Sequence, residues 1–276
     1  MRIVVWICLT IGRATARFIT SVVAFYYVLA SSQARNASKK YLHRIGLSSG
    51  FWNTFIHIRT FAYCVVDRIF FLAGQTERFK ITRTGSHHLD ALQAKGQGAI
   101  LLGTHLGSFE ALRTTKRIIH IVGYFHNAKK INKILQSVNK SNTVRLIDIN
   151  PGSVDFILKI REIIEKGELV GILGDRIFPS SRTTEVEFLG DHATFPTGPF
   201  ILASLVDCPI FLAFGLYLGD NRYDLHCEMF EERIHLPRGN RDLACKAYVQ
   251  RFAQRIEYHC KQAPYNWFNF YDFWSA

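Results

Sequence analysis

The sequence predicts an α/β fold in which a mostly parallel central sheet is covered by helices, behind an N-terminal helical membrane-associated region. Three observations lead there. A short apolar run bounded by glycines at 99–103, and another apolar run at 169–173, have the length and composition of strands buried on both faces. Helical stretches alternate with such runs, as crossover connections between parallel strands require. The first third is different: residues 3–34 are nearly all apolar or small, and no acidic residue precedes Asp67.

The N-terminal stretch comes first. Arg13 and Arg17 interrupt it, and the uncharged run 18–34 falls just short of the usual spanning length. Residues 1–34 are expected to form an anchor helix that spans a membrane once or lies on its surface. A cleaved signal peptide and a buried helix of the following domain are the alternatives. Residues 35–75 form a basic and aromatic helical region, with 35–44 against lipid headgroups and 51–73 a helix. Residues 76–276 form the α/β domain.

Within that domain 79–83 reads as a strand, 86–94 as a helix and 99–103 as a buried strand. Residues 109–119 read as a helix, 121–125 as a strand, 128–138 as a helix and 144–149 as a strand. A helix over 153–166 follows Pro151, and 169–173 is a second buried strand. Residues 186–189 form a short strand and 198–205 a helix. Paired strands at 210–218 and 223–229 flank the turn at Gly219, Asp220 and Asn221. A helix over 242–261 ends the series.

Composition bounds the function. Of 276 residues, 48% are hydrophobic, enough for a sizeable core. Lys and Arg number 34 against 22 Asp and Glu, a formal charge of +12 that suits a polyanion. The excess is concentrated in the apolar N-terminal third, which favours a membrane surface over nucleic acid. Six cysteines without Cys-x-x-Cys spacing read as buried thiols in a reduced compartment.

The stretch that carries chemistry runs from Leu101 through Thr104, His105, Gly107, Ser108 and Phe109 to Glu110. A strand ends at Thr104, Gly107 permits a tight turn, and Ser108 caps the helix that follows. His105 and Glu110 stand five apart, too far round for one helix, but a strand-loop-helix turn can bring them together. Glu110 would hold one imidazole nitrogen, leaving the other to take a proton from a hydroxyl. A lone histidine bonded to backbone is the alternative. Asp175 and Arg176 follow a second buried strand at the same sheet edge, where Arg176 can hold a phosphate or an acyl carbonyl or pair with an acid. Thr197 and Gly198 open a further helix whose N-terminus can bind an anion.

His105-x4-Glu110, then Gly174-Asp175-Arg176, then Phe195-Pro196-Thr197-Gly198-Pro199 resemble the lysophospholipid acyltransferase superfamily. Within it the sequence is similar to the bacterial lipid A biosynthesis (lauroyl/myristoyl) acyltransferases and their predicted relatives. The likeness extends to the closing segment from Ala263 to Trp274. Thr104 and Phe109 stand where many members carry Asn and Trp.

The resemblance implies an enzyme of the bacterial inner membrane, its catalytic domain on the cytoplasmic side. The donor would be an acyl thioester, commonly of acyl carrier protein, and the acceptor a lipid or glycolipid. His105 would be the catalytic histidine and Glu110 its acidic partner, with Asp175, Arg176, Thr197 and Gly198 near the substrate. No metal or redox cofactor is required, and no nucleic acid.

Other signals are weaker. Gly46-Leu47-Ser48-Ser49-Gly50 has the letters of a nucleophile elbow, so a membrane-bound serine hydrolase is one competing reading. No buried strand precedes it, however, and a helix-helix turn fits better. A basic protein that binds anionic lipid without catalysis is the other. His87 and His88 lack metal-ligand spacing. Lys129, Lys130 and Lys133 would form a basic helical face suited to an acidic carrier protein or to solvent. The seven aromatics between Tyr265 and Trp274 suit a membrane interface or packing onto the domain.

Overall fold

The computed structural model describes residues 2–115, 117–123, 144–148, 155–177 and 181–274. Helices α1 (Arg2–Thr10) and α2 (Arg13–Ala30) are separated at Gly12, whose φ of +112° no other residue type adopts easily. The single helix expected over 1–34 is therefore two. A bend of 94° at Ser31 then leads into α3 (Ser32–Arg44), which the Ser31 hydroxyl caps by accepting from the Ala34 N–H. Among the described residues no single helix is long and apolar enough to cross a membrane.

Helix α4 (Phe51–Leu72) ties these helices to the sheet. Arg13 does not interrupt a lipid-facing run, because it forms a bidentate ion pair with the fully buried Asp67 of α4 at 2.6 and 2.7 Å. The Tyr223 hydroxyl adds a bond to the same carboxylate at 2.9 Å. A buried charge so paired is tolerated. The outer face of α2 has no such cover, and Phe18, Val22 and Tyr26 lie exposed in one stripe four residues apart.

The remaining elements in order are β1 (Lys80–Thr84), α5 (Ser86–Ala94), β2 (Ala99–Gly103), a 3-10 helix (Phe109–Thr115), β3 (Ile119–Gly123), β4 (Val144–Asp148) and α6 (Asp155–Glu165). Then come β5 (Leu169–Leu173), β6 (Thr183–Phe188), β7 (Asp191–Pro196), α7 (Gly198–Val206), β8 (Ile210–Tyr217), β9 (Arg222–Glu231) and α8 (Arg241–Gln262). Seven strands form one sheet in the order β1-β9-β8-β2-β5-β3-β4. Within it only β8 and β9 pair antiparallel, so the sheet is mostly parallel as expected, and β6 and β7 form a separate antiparallel pair.

Every residue of β2 is buried. Ile100 and Leu102 belong to a core shared with Phe200 and Phe252, whereas Ala99 and Leu101 belong to a second core that includes Phe70 and Phe71 of α4. Burying each such phenylalanine contributes about 1.5–3 kcal/mol. The sheet is thus covered on both faces, which explains why its central strands read as continuous apolar runs.

Some expectations are corrected. The helix read over 109–119 is a single 3-10 stretch, and β3 begins at Ile119 rather than 121. Thr114 bonds its hydroxyl to the Ala111 carbonyl at 2.8 Å, a local competition that works against helix extension. Strand β7 went unread because its hairpin turn is Leu189–Gly190, both with positive φ, and leucine gives no signal for such a turn. The helix read over 128–138, the end of the strand over 121–125 and the lysines 129, 130 and 133 lie outside the described residues. Ser48 sits exposed in the turn between α3 and α4, its Oγ accepting only from the Gly50 N–H at 3.4 Å.

Candidate active site

Strands β2 and β5 are parallel neighbours, with Gly103 opposite Leu173. The Gly174 N–H donates to the Gly103 carbonyl at 2.9 Å and continues the ladder one step. Two residues beyond each strand, His105 and Asp175 face each other at the carboxyl edge, where open α/β sheets bind ligands. One oxygen of Asp175 accepts from the His105 main-chain N–H at 2.9 Å, and the other accepts from the ring Nδ1–H at 2.8 Å. Asn269 donates to the carboxylate from a third direction, at 2.9 Å.

The Asp175 side chain is fully buried. Burial alone would raise its carboxyl, but the His105 charge, its two hydrogen bonds and the Asn269 amide hold it below the ordinary carboxylate value. It therefore stays ionised. When Nδ1 holds the ring's one proton, Nε2 carries a lone pair, and the side chain is 25% exposed. The pair can accept a proton from a hydroxyl and stabilise the imidazolium that results.

The loop is held by main-chain bonds. The His105 carbonyl accepts from the Phe268 N–H, the Gly107 N–H donates to Asn266, and the Ser108 N–H donates to Gly215, each at 2.8 Å. Gly107 has φ +72°, and a Cβ there would lie 2.1 Å from the Gly215 oxygen. Only glycine allows this approach.

Glu110 is held elsewhere. Its carboxylate lies 2.7 Å from the Arg68 guanidinium of α4. The bond to the imidazole that the sequence assigned to Glu110 is made by Asp175. The cause is strand register: β5 lies beside β2, while the 3-10 helix bearing Glu110 turns toward α4.

Arg176 does not pair with Asp175. Its Nε donates to the Asn269 side-chain oxygen at 3.2 Å, and Nη2 makes a long bond to the Phe268 carbonyl at 3.4 Å. It also lines a cavity of about 460 Å³. Ile172, Ile201 and Leu202 supply apolar wall, and Arg176, Arg182 and Arg241 supply charge. The buried Arg241 Nε has no hydrogen-bond partner among the described residues. Gly198 lines the same cavity. Thr197 does not cap α7, since its hydroxyl donates to the Arg182 carbonyl at 3.0 Å and so holds that arginine's backbone.

Asn266 and Asn269 were read only as polar breaks in an aromatic run. Both are at least 97% buried, and a buried amide must be hydrogen-bonded. That requirement was the available signal, although it names no partner.

One group among the described residues has metal-ligand geometry: His226, Glu228 and His259 bring their ligand atoms within 4.8 Å. Arg255 already occupies both Glu228 oxygens, at 2.7 and 2.6 Å, so the group is a charge network.

Comparison with curated protein sequences gives no match. Residues 60–275 match the family model described as bacterial lipid A biosynthesis acyltransferase.

Proposed function

Because this chain belongs to the bacterial lipid A biosynthesis acyltransferase family, we propose that it moves a fatty acyl chain from an acyl carrier protein thioester to a hydroxyl of a lipid or glycolipid, with His105 as general base. An acyltransferase with an acyl donor and a lipid acceptor follows from the family itself. The observation that carries the finer reading is the hydrogen-bonded pair of His105 and the buried Asp175.

In this reading Nε2 takes the acceptor's proton as its oxygen attacks the thioester carbonyl. The tetrahedral intermediate collapses by breaking the C–S bond, and the imidazolium returns its proton to the departing thiolate. Asp175 stays ionised throughout and stabilises the imidazolium. Such base assistance contributes on the order of 10²–10⁴ in rate. The apolar cavity receives the acyl chain, and its arginines suit the phosphate of the carrier's prosthetic arm.

The reading further assigns the chain to the cytoplasmic side of the bacterial inner membrane. Support comes from the exposed apolar face of α2 and the basic N-terminal third. The bend at Ser31 favours a helix that lies in the interface.

The test is acyl transfer from labelled acyl carrier protein thioesters to a bacterial lipid extract. Wild type should transfer label and His105→Ala should not, with folding intact. Equal transfer by His105→Ala would remove the histidine from catalysis.

A further inference from the structure

A second cleft, of about 450 Å³, lies between α2, α4 and the turn that joins β8 to β9. Arg17, Arg59, Tyr63, Tyr217 and Tyr265 are among its walls. The Arg17 guanidinium stacks on the Tyr63 ring at 3.8 Å, donates to the Tyr217 hydroxyl at 2.6 Å and also reaches the Asp220 main-chain oxygen. Arg59 lies over Phe55 at 5.2 Å and Tyr63 at 5.5 Å, and its buried Nε has no hydrogen-bond partner among the described residues.

Neither arginine has a carboxylate partner among the described residues. Arg13, four residues before Arg17, has Asp67. The acidic residue lining the cleft, Asp220, offers Arg17 its main-chain carbonyl. The Arg17 guanidinium is therefore held by an aromatic ring and neutral oxygens, that of Arg59 by rings alone, both are partly desolvated, and no described carboxylate pairs with either. Such an arrangement suits an oxyanion that accepts from both.

The surroundings narrow the anion further. The exposed stripe of α2 begins at Phe18, the residue after Arg17. Phe18 is 72% exposed and Tyr26, two turns on, 68%. An anion in the cleft would have an apolar track leading away from it, which fits a charged head joined to hydrocarbon chains.

We propose that this cleft binds the phosphate headgroup of an anionic membrane lipid, with its chains along Phe18, Val22 and Tyr26. The site holds the protein at the membrane and is separate from acyl transfer, so its test needs no donor or turnover. Full-length protein is floated with vesicles of phosphatidylcholine alone or mixed with phosphatidylglycerol. Wild type should prefer the mixed vesicles. Arg59→Gln removes no described hydrogen bond and should cut that preference about tenfold, the scale of one charge-assisted bond. Arg59→Lys, which keeps the charge but not the fork, should lose about threefold and carries the test if Arg59→Gln unfolds. Lys39→Gln removes a charge on α3, outside the cleft, and measures general attraction. If Arg59→Gln or Arg59→Lys loses no more than Lys39→Gln, the proposal is overturned. It also falls if wild type binds vesicles of phosphatidylcholine alone as tightly as the mixed ones, since the cleft would then show no preference for an anionic headgroup.

Discussion

Asp175 holds His105 through both of its oxygens, the ring at 2.8 Å and the main-chain N–H at 2.9 Å. One contact sets the tautomer and the other sets the loop. Asp175→Asn should lower kcat by about 10³–10⁴, as expected when an imidazole loses the acceptor that fixes its proton. Glu110→Gln and Arg68→Gln break one partly exposed ion pair and should each cost about tenfold or less. Circular dichroism checks the fold of each. If Glu110→Gln falls as far as Asp175→Asn with its fold intact, Glu110 acts directly in the chemistry.

Gly107→Ala should destabilise the protein by roughly 2–4 kcal/mol, because a left-handed φ and a clash with the Gly215 carbonyl coincide. Urea unfolding monitored by tryptophan fluorescence measures this. A wild-type midpoint would mean the loop relaxes freely.

The cavity wall gives a prediction about chain length. Ile201→Trp fills space beside Ile172 and Leu202, so long acyl chains should lose more rate than short ones. Each methylene excluded forfeits about 0.8 kcal/mol of burial. Parallel assays with thioesters of graded length read the shift. Uniform loss at all lengths would assign the acyl chain elsewhere.

Acid sensitivity should come partly from two histidines kept neutral. Burial pushes His57 down from 6.5 to about 4, opposed by its bond to the Trp267 carbonyl. Burial, then the His226 charge, lowers His259 to about 4. Unfolding lets both protonate near their ordinary value, so stability is full above about pH 6.5 and declines as pH falls toward 4. Between about pH 6.5 and pH 5 His57 alone should account for roughly 2 kcal/mol. Urea midpoints across that interval measure the slope, which should flatten in His57→Gln. An unchanged slope would show that His57 is not the group titrating.

Ser48→Ala should leave acyl transfer unaltered, since the exposed hydroxyl meets only the Gly50 N–H. Loss of activity there would revive the hydrolase reading.

The parallel sheet and His105 were legible because both write themselves locally. A short apolar run between glycines, Ala99 to Leu102, admits few readings, and a histidine just past such a run falls at the carboxyl edge. Partnership is not local. Asp175 was noticed as a polar residue after a buried strand, but its pairing with His105 depends on β5 lying beside β2, which neither strand's composition encodes. Proximity in sequence favoured Glu110 for the same reason. Arg13 misled in the opposite way, because an arginine in an apolar run looks the same whether it faces headgroups or the buried Asp67. Asn269 was hidden among aromatics whose packing dominates that segment.

The His105–Asp175 pair, proposed to be catalytic, is gathered from stretches far apart in the chain. Asp175 is 70 residues from His105, and Asn269 is 94 from Asp175. Closing such long loops is entropically slow and draws its reward only when the sheet and the tail have docked. Activity is therefore a readout of finished folding: after dilution from denaturant, turnover should return no sooner than the slowest tertiary phase. Partly assembled chains with a formed sheet but a loose tail would be catalytically silent.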